Sequence, residues 1–220
     1  MRALRRSFAY RASRTAIQFS ESIAGPECVL TALRAISLIG MPGGGKSTVG
    51  RHLARSLNLR FADSDTELEK RIGCPIREYF EREGEERFRD LEQGVIEELL
   101  GWPSVVLATG GGAVLREDNR DALRAASTVF YLRSTPEELF RRLRHDTHRP
   151  LLQVRDPLRK LRELHAERDP LYRKTAHFVI ETGRPSVSTL VNMILMQLEL
   201  AGLVDPAQVP SPVEPRSSER

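Results

Sequence analysis

Residues 40–47 read Gly-Met-Pro-Gly-Gly-Gly-Lys-Ser and directly follow the apolar, β-branched run AISLIG (35–40). Gly40, Gly45, Lys46 and Ser47 stand in register with the phosphate-binding loop pattern, which joins a strand to a helix. The context agrees, because Val49, Leu53 and Leu57 recur at helical spacing just after the loop. Glycines there let backbone N–H groups curl around phosphate oxygens, and the helix N-terminus adds its positive end. In such a loop Lys46, an exposed loop lysine, reaches the β- and γ-phosphates, and Ser47 holds magnesium.

Strands and helices alternate beyond it. RFAD (60–63), SVVLAT (104–109), STVFYLR (127–133) and HFVIE (177–181) are further strand candidates. A polar helix is expected over 64–72, closed by Gly73, and another from Pro75 as its first position. Phe88, Leu91, Val95 and Leu99 mark one face of a longer helix, and Val187, Leu190, Val191, Ile194 and Leu198 mark the last. This order predicts an α/β fold, a mostly parallel sheet with helices on both faces. Ligands of such sheets bind beyond the carboxyl ends of the strands, so residues just after each strand are the candidates.

After the second strand stand Asp63, Ser64 and Asp65. Two carboxylates two residues apart at a strand's close face one side. Helix capping, by Asp65 or Ser64, would account for one of them. Many phosphate-loop enzymes carry a magnesium-binding acid after a later strand, but VVLAT runs into glycines, which makes Asp63 the candidate metal ligand. Those glycines, Gly110, Gly111 and Gly112 in LATGGGAV, give up much conformational freedom on ordering. At the carboxyl edge they are read as letting backbone N–H groups approach a small ligand.

On a helical wheel of about 100° per residue, Glu85, Arg89 and Glu92 fall at the edge of the Phe88–Leu99 apolar face. Two carboxylates flanking one arginine at a burial margin can aim its guanidinium at a planar anion. Charge excludes a nucleic-acid footprint on the folded part. Residues 1–34 hold six arginines against two acids, which accounts for the whole net charge of +4. That extension reads as a disordered arm or, alternatively, an organelle transit peptide. Residues 202–220, rich in proline and serine, read as a solvated tail. The two cysteines, Cys28 and Cys74, lack metal-ligand spacing and suit a reducing, cytoplasmic setting. No run approaches the roughly 18 apolar residues of a membrane span.

The phosphate loop, DSD, EGEERFRDLE, LATGGGAV, RPLL and ERDPLY occur in the order and approximate spacing of shikimate kinases, which the chain resembles over about residues 35–200. The resemblance implies a three-layer P-loop kinase fold with a five-stranded parallel sheet and a mobile lid over about 144–157. It also implies transfer of the γ-phosphate of ATP to the 3-hydroxyl of shikimate, with Mg2+, in a monomer. By matching motif, Gly43, Gly44, Gly45, Lys46, Ser47 and Thr48 hold the nucleotide phosphates, and Ser47 and Asp63 the metal. Asp65 binds the acceptor hydroxyls and takes the proton. Arg89 and Arg168 hold the acceptor carboxylate, and Gly110, Gly111 and Gly112 line its pocket. Arg149 reaches the phosphates from the lid, while Arg142 and Pro185 contact adenine. A gluconate-like kinase would share the phosphate loop without needing the two arginines and GGGAV. A regulator with a kinase-like sensing domain would need a further module, for which the arm is short.

Overall fold

Each predicted strand forms, because each is a short apolar or β-branched run stopped by glycine or a polar residue. The computed structural model describes residues 35–144 and 154–204. Strands β1 (Ala35–Ile39), β2 (Arg60–Asp63), β3 (Val105–Ala108), β4 (Ser127–Arg133) and β5 (Phe178–Glu181) make one sheet in the order β2-β3-β1-β4-β5. Every pairing is parallel, with Ile36 opposite both Val106 of β3 and Thr128 of β4. A parallel sheet must be covered on both faces. Ala35 and Ile39 accordingly join one core cluster, while Ile36 and Leu38 join the other.

Helices α1 (Lys46–Ser56) and α8 (Val187–Leu200) cover the second face. The first is covered by α2 (Ser64–Ile72), α4 (Glu85–Leu100), α5 (Glu117–Ala126), α6 (Pro136–Leu143) and α7 (Pro157–Thr175). The short α3 (Ile76–Glu83) packs its partly buried Ile76, Tyr79 and Phe80 against that same cluster. Gly73 ends α2 with φ +71°, a left-handed cap that glycine takes without steric cost. Pro75, expected at a first helical position, instead caps α3 with ψ 142°, since its extended backbone only leads into the helix.

The tail boundary also shifts. Leu203 and Val204 pack against the α8 side of the core rather than standing in solvent. Gly202, at φ +65°, turns the chain back so that Leu203 N–H donates to the Leu198 carbonyl at 2.9 Å. The arm 1–34, the remaining tail from 205 and most of the expected lid, 145–153 with Arg149, lie outside the described residues.

The topology sets the place of the site. β1 and β3 are neighbours, yet their onward helices α1 and α5 leave on opposite faces. That divergence opens a crevice beyond their carboxyl ends. Gly40 closes β1 there with φ +145°, and an added Cβ would sit 2.6 Å from the Leu132 carbonyl oxygen. Gly40→Ala is expected to destabilise the protein by about 2 kcal/mol or more, since the clash is with backbone and the φ is strained; chemical denaturation measures it, and a loss under about 0.5 kcal/mol would contradict the packing.

Candidate active site

Two cavities meet in the crevice. One, of about 370 Å³, is lined by Pro42, Gly43, Gly45, Lys46, Ser47, Thr48 and Asp63, and by Asp65, Thr109, Gly111 and Leu143. The other, about 300 Å³, is lined by Asp65, Phe80, Arg89, Gly110, Gly112 and Arg168 among others. Pro42, Asp65 and Gly111 belong to both walls.

The phosphate loop bends through Gly43 at φ +79° and Gly45 at φ +88°. Gly44 is not among the lining residues; it faces the loop's own Met41 carbonyl, 3.1 Å from where a Cβ would stand. Lys46 corrects an expectation. It is 8% exposed, and its ammonium donates to the carbonyls of Gly40 at 2.8 Å and Met41 at 3.0 Å. A buried ammonium needs such acceptors, so this lysine closes its own loop as well as facing the cavity.

Asp63 carries two tasks at once. Its Oδ2 accepts from the Ser47 hydroxyl at 2.5 Å, and its Oδ1 accepts from the amides of Asp65 and Thr66. The N-cap of α2 is therefore Asp63, not Asp65 or Ser64, because Ser64 is already the first helical residue. The adjacent Ser47 and Asp63 oxygens suit a hard divalent cation that keeps waters and phosphate oxygens as its other ligands. No group of three or more His, Cys, Asp or Glu side chains forms a metal cage among the described residues.

Freed from capping, Asp65 stands in the wall between the cavities. One side of it is open to the cleft. Protein encloses the rest, and burial pushes its carboxyl up to about 6; Lys46 pulls the other way, while Asp63 and Glu92 add to the rise.

The glycine turn does something other than offer all its N–H groups to a ligand. Gly110 N–H donates to the Ser64 hydroxyl at 2.8 Å, and the carbonyls of Gly110 and Gly112 accept from Ala113 and Leu115. What the missing side chains provide is room. A Cβ on Gly110 would lie 2.5 Å from Asp65 Oδ1, one on Gly111 2.6 Å from Pro42, and one on Gly112 2.5 Å from an Arg89 nitrogen. Each glycine lets a different part of the site close in.

Arg89 is braced as its spacing predicts. Its guanidinium meets Glu92 at 2.7 Å and Glu85 at 3.0 Å, over the rings of Phe80 and Phe88. Glu92 is 1% exposed. Burial pushes its carboxyl above the usual range, opposed by Arg89. Arg168, on α7, reaches the same cavity and donates to the Gly111 carbonyl at 3.3 Å. Arg142 bonds the Thr182 carbonyl, which brings α6 to the loop that contains Pro185, and neither Arg142 nor Pro185 lines the two cavities.

Four contributors escaped the sequence reading. Ser64 and Pro42 sit inside quoted motifs but carry no charge. Tyr172, in ERDPLY, is fully buried, and its hydroxyl donates to the Gly111 carbonyl at 2.6 Å. Asp169 accepts from Tyr131, Arg133 and Arg173 and so ties α7 to β4. An acid within a charged helix gives no signal of that.

The family model described as shikimate kinase matches residues 42–199. A shikimate kinase of Paracidovorax citrulli is 60% identical over 176 residues, 79% of this chain and 96% of that one. One from Ralstonia nicotianae is 56% identical over 177 residues, covering 80% and 93%. The solved shikimate kinase of Acinetobacter baumannii in complex with shikimate superposes with a TM-score of 0.74 at 45% identity, covering 80% of this chain and 98% of that one.

The capping assignment has a measurable consequence. A carboxyl raised from 3.8 to about 6 is disfavoured by the fold when ionised, so its cost grows as pH rises through that window and is complete above it. In magnesium-free buffer at pH 7, Asp65→Asn is expected to leave the unfolding temperature unchanged or higher, with the difference vanishing below pH 4. A loss of about 1 kcal/mol, the usual value of a cap, would mean that Asp65 caps α2 after all.

Proposed function

The chain belongs to the shikimate kinase family, and on that premise we propose how its residues divide the work. The enzyme is a phosphotransferase that phosphorylates shikimate at the expense of ATP. One observation carries the residue assignment: Asp65 stands in the shared wall of two cavities, with the phosphate loop in one and two arginines in the other.

In this reading the nucleotide phosphates lie along Gly43–Thr48, and Arg142 with Pro185 meets the adenine. Ser47 and Asp63 would hold Mg2+, which when bound offsets the charge of the β- and γ-phosphates. The acceptor lies in the second cavity, its carboxylate gripped by Arg89 and Arg168. Planar guanidinium forks suit a planar anion, and Glu85 and Glu92 fix one fork in advance. The 3-hydroxyl then faces Asp65. As its oxygen bonds to the γ-phosphorus, the bond to the β–γ bridging oxygen breaks, and Asp65 accepts the hydroxyl proton. Charge grows on the bridging oxygen, where Lys46 neutralises it. Arg149, assigned by its motif alone, adds a cation to the transferring group. Gly110–Gly112 shape the pocket by letting Asp65 and Arg89 approach. Two cysteines in 220 residues support a reducing, cytoplasmic setting; the balanced charge of residues 35–220 speaks against a nucleic-acid partner, and a monomer without membrane partners is carried over from the family resemblance. The described residues contain no helix long and apolar enough to cross a membrane.

Shikimate-dependent release of ADP tests the reading. Turnover with gluconate and not shikimate, or nucleotide binding without turnover, would replace it by one of the rival functions. Asp65→Asn is expected to lower kcat at least about 100-fold while the unfolding temperature holds. Lys46→Ala should lower kcat by about 100-fold or more and also cost stability, because the loop loses two hydrogen bonds. Retention of a tenth of the wild-type rate by a folded Lys46→Ala variant would remove Lys46 from catalysis.

A further inference from the structure

We infer that Tyr172 is a positioning residue for the acceptor: its hydroxyl holds the Gly111 carbonyl, which fixes the glycine turn and keeps Arg168 available to a carboxylate. The inference rests on the assignment of Arg168 to the acceptor. Tyr172 and Arg168 lie one turn apart on α7 and donate to the same carbonyl oxygen, Tyr172 at 2.6 Å and Arg168 at 3.3 Å. The first is a short, well-formed bond and the second lies beyond the usual range for N–H···O. Arg168 Nε is buried and has no partner among the described residues. The arginine is therefore held in direction but not committed. A carboxylate entering the cavity competes with a long contact to a neutral carbonyl and with the neutral Tyr172 hydroxyl beside it, and charge-assisted bonds win that competition.

The tyrosine is built for the task. It is fully buried and stacked on Tyr131 with ring centroids 4.9 Å apart. Burial pushes its phenol pKa upward, so the hydroxyl remains a donor. The Tyr131 hydroxyl cannot replace it, being committed to Asp169 at 2.8 Å. Gly111 is also where an error would spread furthest. Pro42 packs against it from the phosphate loop, and its neighbours in the turn abut Asp65 and Arg89. Without the hydroxyl, the Gly111 carbonyl is left to Arg168 alone. That contact is then free to shorten, and Arg168 must leave it to bind the acceptor.

Steady-state kinetics of the full chain test this with Tyr172→Phe, which keeps the ring. The KM for shikimate is expected to rise about five- to tenfold, the range one such bond can supply, with KM for ATP within about twofold and kcat changed less than KM. Tyr131→Phe is the control: it removes the other hydroxyl of the stacked pair and should leave shikimate KM in place. The rise in unfolding temperature at a fixed shikimate concentration gives the same comparison for a variant too unstable to assay. Equal effects of the two variants, or a lowered unfolding temperature of Tyr172→Phe with normal shikimate KM, would reduce Tyr172 to a packing residue. Arg168→Lys separates the premise. If it leaves shikimate KM unchanged, the acceptor assignment fails; if it raises KM while Tyr172→Phe does not, only the role of Tyr172 fails.

Discussion

Three successive positions without side chains allow four elements to converge on one turn. Asp65 from α2, Pro42 from the phosphate loop and Arg89 from α4 each abut one glycine of Gly110–Gly112, while Arg168 and Tyr172 from α7 bond the middle carbonyl. A Cβ at any of the three would meet its neighbour at 2.5 or 2.6 Å. The entropy given up by three glycines is offset by what it makes possible: the phosphate loop, the Asp65 carboxylate and two arginines within reach of one another. The sheet supplies the crevice, but the turn sets its working dimensions.

Electrostatics divides along the same line. At the second cavity, Glu92 is buried almost completely and paired with Arg89, which opposes the rise that burial imposes on its carboxyl, an arrangement that would be costly with either partner removed. Between the cavities, Asp65 is only partly compensated, with Lys46 favouring its charge and Asp63 and Glu92 opposing it. A direct ion pair of the Glu92–Arg89 kind holds the guanidinium still. Partial compensation suits the proton uptake and release proposed for Asp65.

The strands and most helices are legible in the sequence because local pattern decides them: β-branched runs cut off by glycine, and apolar residues at helical spacing. The phosphate loop is legible because its chemistry dictates glycine, lysine and serine at fixed positions. Arg89 and its two glutamates follow from spacing alone. What escapes depends on events outside the local window. Which of two aspartates caps α2 turns on where the helix begins, a matter of two residues. Lys46 looks exposed in a loop until the loop closes on it. Tyr172 is an aromatic residue in an apolar position, and nothing nearby in the chain discloses that its hydroxyl reaches a carbonyl 61 residues away.

The position of β1 bears on how the chain acquires its fold. It is the first described strand and the central one, fully buried and apolar along most of its length. Its partners come much later: the Leu38 carbonyl bonds to Thr109, 71 residues on, and β4 follows beyond that. A ribosome therefore releases AISLI long before anything exists to pair with it, and parallel pairing over such separations is slow. For that interval the nascent chain exposes the strand that will become the best protected, with two open edges able to accept a stranger.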